Sequence, residues 1–313
     1  MALTKSDIPD LLLPGLKTEF AAAFRAEADN SIADKIATVV STTMPVQKYA
    51  WLGATPPMRE FIDERRPQGL SESAVTIEDK VYESTIAVDR RAIEDDQLDL
   101  IRLRIRDLAS RVSQHRHQIV VQTLLNGGVG TGYDGATFFN AAHAGFGGST
   151  YSNTSASALS STSLATAIST MMQLPDDSGT PLGIVPDTLV VGPQTMWDAI
   201  ELVESPVVVY KGSGSTGTSP TDYTNAFRGR LRLIVSPYIT GSQSAAWFLL
   251  DTQRAIKGVI LQQRSDVPVE FSALENTSGS ESAFLRDRYF YGVRARYNVG
   301  YGLWQAAYGG KLS

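Results

Sequence analysis

Gly212, Gly214 and Gly217 carry the G-x-G-x-x-G spacing that lets a backbone close on a pyrophosphate. That chemistry needs the turn to open a helix whose amides meet the anion, and here Thr218-Ser219-Pro220 follows with no helical pattern. The spacing therefore predicts a flexible loop within "KGSGSTGTSPTDYTN". A second glycine run, Gly127 to Gly132, follows a helical pattern rather than a strand, the wrong order for a phosphate cradle. The histidines are His115, His117 and His143. His115 and His117 stand two apart on a predicted helix, so their side chains diverge by about 200° and cannot share a metal. Both are expected on the helix surface. Glu94-Asp95-Asp96 and Asp176-Asp177 flank predicted helix ends, where capping explains carboxylates better than acid–base catalysis does. With no cysteine, thiolate nucleophiles, thiolate metal sites and disulfides are all excluded. No catalytic, cofactor or metal constellation stands out, and no enzymatic activity is expected.

The elements that would hold such residues are more informative. The chain has 313 residues, 42% hydrophobic and 19% charged, with a formal charge of -5, which is ordinary for a soluble globular protein. No basic excess marks nucleic acid as a dedicated ligand. The start, "MALTKSDIPDLLLPGL", lacks the apolar core of a signal peptide, and no run is long and apolar enough to span a membrane. The absence of cysteine fits a reducing cytoplasm.

Helical spacing links Leu16, Phe20, Ala23 and Phe24, and then Ile32, Ile36 and Val39, with a break around Asp29-Asn30-Ser31. An extended piece, "STTMPVQKYAWLG", follows. Next comes "MREFIDERRPQGLSESAVTIEDKVYESTIAVDRRAIEDD", Met58 to Asp96. It predicts a charged hairpin: "REFIDERR" as one strand, "PQGLSES" as the turn, and a long alternating second strand from Ala74. Neither face is continuously apolar before Ile86. From Arg59 to Asp96 there are 6 basic and 11 acidic residues. Such a ribbon is marginal alone in water, so it is expected to project or to be held by other copies.

A long helix is predicted from Gln97 to Asn126, ended by Gly127-Gly128. About 29 residues make a rod of roughly 43 Å. Its stripe of Leu98, Ile101, Ile105, Leu108, Val112 and Ile119 is narrow, widening only at Val120, Val121, Leu124 and Leu125. His115 takes the place of one more apolar residue in that row. Arg102, Arg104, Arg106, Arg111 and Arg116 spread around the rod and either neutralise acidic neighbours or face nucleic acid; the interleaved Asp99 and Asp107 favour the first. A second helix is predicted in "SLATAISTMMQL", then a buried strand and helix in "PDTLVVGPQTMWDAIELV", then strands in "RLRLIVSPYI", "AAWFLLD", "GVILQQR" and "VPVEFSAL". The last long alternating run places Tyr289, Tyr291, Val293, Ala295, Tyr297 and Val299 on one side and Arg288, Phe290, Arg294, Arg296 and Asn298 on the other. The class is α+β.

Three stretches carry a family resemblance: "WLGATPPMREF" (Trp51 to Phe61), "RRAIEDDQ" (Arg90 to Gln97) and "YDGATFFNAAHA" (Tyr133 to Ala144). In order and wording they resemble the Mu-like branch of tailed-phage major capsid proteins of the Hong Kong 97 type. Ala144 departs from the proline common there. The resemblance implies an N-terminal arm (residues 1–50), an extended two-stranded loop (51–95) and a peripheral domain (96–165 and 265–299) holding a spine helix (97–126). It also implies an axial domain (166–264 and 300–313). It further implies a head protein without an active site, metal or cofactor, whose copies form hexamers and pentamers. These would close an icosahedral shell around double-stranded DNA, touched non-specifically on the inner surface.

The implied partners are a scaffolding protein, a portal and a possible decoration protein, with no membrane. The implied location is the virion capsid, assembled in the bacterial host cytoplasm. Arg59, Glu64, Arg65, Arg66, Glu78, Lys80 and Glu83 in the extended loop are the expected inter-subunit contacts. Some relatives cross-link a loop lysine to an asparagine; Lys80 is the ribbon's lysine, and the ordinary expectation for it is simple exposure. No long acidic coiled-coil prefix precedes the arm, which fits either a separate scaffold or numbering from a mature end, and Met1 favours the first. An encapsulin-like nanocompartment shell and a soluble enzyme with paired carboxylates are the alternatives.

Overall fold

The computed structural model describes residues 8–29, 31–49, 74–89, 91, 98–176, 179–209, 222–266, 269–273 and 285–312. The chain opens with helices α1 (Ile8–Asp29) and α2 (Ile32–Ile36), separated at the expected break. Ser31 caps α2 by accepting from the Asp34 amide, the bond a helix start needs for its unpaired amides. Strands β1 (Ala37–Thr42), β2 (Val46–Tyr49), β3 (Val75–Glu78) and β4 (Lys80–Asp89) follow, then the long helix α3 (Leu98–Leu125). Short strands β5 (His143–Ala144), β6 (Thr150–Tyr151) and β7 (Thr154–Ser155) precede helix α4 (Ser161–Met172). Then come β8 (Thr188–Val191), helix α5 (Met196–Val203), β9 (Val207–Val209), β10 (Asp222–Thr224), β11 (Arg232–Val235) and β12 (Trp247–Leu250). The chain closes with β13 (Val259–Arg264), β14 (Val269–Ala273), β15 (Arg288–Tyr301) and β16 (Ala307–Gly310).

The alternation of β15 dictates the first sheet. Its odd-numbered side chains Tyr289, Tyr291, Val293, Ala295 and Tyr297 are all buried, as a strand with one covered face requires. Against that face lie Ile101, Ile105, Leu108 and Val112 of α3, with Leu16 and Phe20 of α1 beside them. β4 runs antiparallel along one edge of β15, from Arg288 opposite Asp89 to Tyr297 opposite Lys80. On the other edge β13 and β14 follow one another, pairing with residues 297–301 and 291–295, and β1 adds parallel to β13.

The second sheet has the order β11-β8-β12-β16-β7. β8 and β12 are buried along their whole length, so both their faces read as apolar runs rather than alternation. Leu164, Ala167 and Met171 of α4 and Ala199 and Val203 of α5 join this core. The widened end of α3 supplies Val120, Val121 and Leu124 to the same core, all fully buried. α3 has 28 residues, a rod of about 42 Å that links the two cores.

The charged hairpin is paired differently from the sequence expectation. Its alternating strand is two strands: β3 pairs antiparallel with β2, Tyr49 opposite Val75, and β4 pairs with β15. "REFIDERR" and "PQGLSES", along with Gly212, Gly214, Gly217 and Glu94-Asp95-Asp96, lie outside the described residues. The reason for the difference is register. Tyr82, Ser84, Ile86 and Val88 fall on the buried face of β15, a partner some 200 residues on that local patterning does not reveal. β13, which residue order groups with 166–264, likewise pairs with β15 and β1 rather than in the second sheet.

Candidate functional site

The region of interest is the root of the ribbon, where β2 and β3 meet the first sheet. Ile77 is 3% exposed and packs with Tyr49 and Ile260. A Cβ on Gly300 would stand 2.5 Å from the tip of the Ile77 side chain, so a larger residue at this point of β15 would force that side chain to shift. The Tyr49 hydroxyl donates to Gln262 Oε1 at 2.9 Å, and burial pushes its pKa up to about 12. Asn298 Nδ2 donates to the Glu78 carbonyl at 2.6 Å. Residues 75–89 are thus held by their own subunit, which corrects the expectation that the whole ribbon finds its partners only on other copies. Because Tyr49 and Val75 stand opposite each other, the chain leaves and rejoins the molecule at one place.

Of the loop residues singled out by sequence, Glu78, Lys80 and Glu83 are present here and all are exposed. Glu83 stands opposite Arg294 and accepts from Thr85 Oγ1 at 3.0 Å. Lys80 stands opposite Tyr297. Arg59, Glu64, Arg65 and Arg66 lie outside the described residues. Sequence reasoning missed Asp79, a carboxylate 3% exposed between β3 and β4. Arg296 Nη2 lies 2.9 Å from its Oδ2 and Arg264 Nη1 lies 3.9 Å away. The missing signal was the long-range pairing that brings β13 and β15 beneath it.

The histidines also differ from expectation. His117 is buried, 9% exposed, edge-on to Tyr238, and His115 is half-buried. α3 lies between the sheet and the following loops, so positions that look outward on an isolated helix are covered. Burial holds both imidazoles below the usual histidine range. His115 Nδ1 lies 2.8 Å from the Tyr297 hydroxyl, whose pKa is raised first by burial. The hydroxyl keeps its proton and the ring is neutral, so the pair shares one hydrogen bond whose direction is set by the imidazole tautomer. His115, Tyr82 and Tyr297 line a cleft of about 390 Å³ between α3 and the sheet.

His143 is fully buried: Nδ1 lies 2.6 Å from Asp134 Oδ2, Nε2 lies 3.1 Å from Asn153 Oδ1, and the ring stacks on Trp304 at 3.9 Å. Burial pushes the Asp134 carboxyl up, but the His143 hydrogen bond, its charge and backbone amides together draw it below the ordinary value. The His143 stack on Trp304, with Asn153 Nδ2 donating to the Trp304 and Ala307 carbonyls, ties "YDGATFFNAAHA" to the C-terminal segment. Asp176 closes a turn by accepting from the Thr180 amide at 2.8 Å instead of capping a helix, because α4 ends earlier, at Met172.

Four of the spine arginines take acidic partners: Arg102 with Asp99, Arg106 with Glu19, Arg111 with Asp107, and Arg116 with Asp34 at 3.0 Å. Among the described residues no group of His, Asp and Glu is placed to hold a metal, and no helix is long and apolar enough to cross a membrane.

A ribbon rooted on a sheet and a long helix joining two cores are the main features of this geometry. The family model for the Mu-like prophage major head subunit gpT matches residues 10–157, 142–239 and 239–313. The chain belongs to that family. Among its relatives, the Mu-like prophage FluMu major head subunit of Haemophilus influenzae is 25% identical over 89% of this chain and 66% of its own. The major capsid protein of Escherichia phage Mu is 27% identical over 35% of this chain and 36% of its own. The chain thus spans less than two thirds of either curated relative. In solved structures, a chain of the procapsid of bacteriophage JBD30 is 25% identical, with 96% of this chain and 74% of that one covered and a TM-score of 0.54. The mixed α+β fold is that of Hong Kong 97-like phage capsid proteins.

Proposed function

We infer that this chain is the major head protein of a Mu-like phage or prophage, a structural subunit whose copies assemble into the shell. The observation that carries this is the family match, which runs along almost the whole chain, coupled to the likeness to a procapsid chain. That match does not favour the nanocompartment alternative. In this reading the copies form hexamers and pentamers, close an icosahedral shell around double-stranded DNA, and work with a scaffolding protein, a portal and a decoration protein. The shell assembles in the host cytoplasm and ends in the virion.

The parts take the roles of the Hong Kong 97 architecture. Residues 1–50 serve as the arm, the loop within 51–95 reaches a neighbour, and α3 is the spine. The first sheet belongs to the peripheral domain and the second to the axial domain. The exposed carboxylates and amine of Glu78, Lys80 and Glu83 support contacts between copies, together with Arg59, Glu64, Arg65 and Arg66. Many weak contacts of this kind add up because each closed ring makes the next contact intramolecular. Negative-stain microscopy and sedimentation of the expressed chain, alone and with the scaffolding protein, test the reading. Rings or shells are the expected outcome; a discrete small oligomer under both conditions overturns it.

A further inference from the structure

Asp79 sits alone between β3 and β4. Before it the chain pairs with β2, and after it with β15, so this single residue is the joint between ribbon and sheet. Its amide donates to the Pro45 carbonyl at 2.9 Å, the last link to the β2 side. Its side chain turns to the sheet instead, toward Arg296 of β15 and Arg264 at the end of β13. Arg264 is itself held by Asp266, with Nε to Oδ1 at 2.7 Å and Nη2 to Oδ2 at 2.5 Å. Asp79, Arg264, Arg296 and Asp266 form a set of two negative and two positive charges.

The geometry of this set is uneven. Arg264 meets Asp266 in the two-pronged arrangement that makes strong charge-assisted bonds. Asp79 Oδ2, in contrast, is buried with no hydrogen bond, and so is Arg296 Nε. The 2.9 Å approach is attraction between charges without the directional bond that would fix it. A buried pair of this kind contributes little net stability, since desolvation offsets the attraction; where such pairs matter, they select one arrangement over others. Asp79 also lies at the one residue where a change of direction needs no strand pairing to break. The hydrophobic contact of Ile77 on Gly300 is local to the same root and makes no demand on α3.

We propose that Asp79, Arg264 and Arg296 form a charge latch that sets the direction in which the β2–β3 ribbon leaves the subunit, and that it releases without unfolding the sheet. Asp79 is then a positioning residue for whatever the loop carried by this ribbon contacts. Its consequence for assembly rests on the shell-subunit reading; the latch itself does not.

The test is hydrogen exchange followed by mass spectrometry on the full chain. Asp79→Asn keeps the shape and removes the charge. Exchange at 46–49 and 75–78 is expected to speed up at least tenfold, with α3 and β15 unchanged. Unchanged exchange at the root overturns the latch, and so does equal acceleration through α3 and β15, which would make Asp79 a general stability residue. Should Asp79→Asn fail to fold, Arg296→Gln and Arg296→Lys decide the matter from the other side. Gln is expected to loosen the root and Lys, which keeps the charge, to restore it; identical behaviour of the two overturns the proposal. Shell yield is scored in parallel. If the wild-type chain makes neither rings nor shells, alone or with the scaffolding protein, the functional reading fails while the exchange result still stands on its own.

Discussion

His115 occupies a position where the α3 stripe would otherwise carry an aliphatic residue, and its surroundings suit a neutral ring. Tyr82 and Tyr297 lie 4.4 and 5.9 Å from it between ring centroids, and the Tyr297 hydroxyl occupies Nδ1. Glu83 also lines the cleft, and Arg111 and Arg116 stand on the same helix, Arg116 paired with Asp34 of α2. Because burial lowers the folded pKa of His115 and His117, the unfolded chain binds protons more readily. Their contribution to stability is therefore complete above the unfolded pKa, near 6.5, and is lost as pH falls from there toward the folded values. Melting temperature measured at pH 7 and pH 5 is expected to fall on acidification, and His115→Gln to fall less. An equal fall in the variant would show that His115 takes no part. The Asp134 carboxyl acts in a separate, more acidic window: its folded pKa is depressed, so its contribution is lost only as pH drops below the ordinary carboxylate range.

At the scale of elements, α3 is half buried by design of its stripe. Ile105 is 0% exposed between α1 and β15, while Leu103 on the opposite side is 59% exposed. Ile105→Ala leaves a cavity and is expected to destabilise the subunit by about 2–5 kcal/mol. Leu103→Ala removes little contact in the isolated subunit and is expected to change stability by less than about 0.5 kcal/mol. Urea unfolding of the unassembled chain measures both. Similar losses for the two would mean that the helix is covered on all sides within one subunit. The periodicity of this helix and of β15 was plain in the sequence because each repeats a single burial pattern over many turns or residues. The extended character of β3 and β4 was legible for the same reason, but not the break between them at Asp79 or their partners.

At the scale of the whole molecule, the split of the ribbon alters what a deletion should do. Removing residues 60–88 would take away β3 and β4, and with them an edge of the first sheet. Replacing residues 52–72 by a short glycine-containing turn leaves Tyr49 and Val75 free to pair, since they already stand opposite each other. That shorter variant is expected to keep the circular dichroism and melting behaviour of the full chain and to lose shell closure under the microscope. Shells of normal shape from it would show that the excised residues carry no essential contact between subunits.

The long helix α3, the long strand β15 and their buried faces, and the family wording in "YDGATFFNAAHA" follow from the amino-acid string, whereas Val39 reads as helical and lies in β1. Each of the legible features depends on neighbours a few residues apart. What joins distant segments did not: the seating of Ile77 on Gly300, the pairing of β4 with β15, the stapling of His143 to Asp134, Asn153 and Trp304, and the burial of Asp79 between two arginines. A charged residue in an alternating strand looks solvent-facing until the partner strand is known. Only the folded chain, by closing loops some 200 residues long, decides which charges meet water and which meet each other.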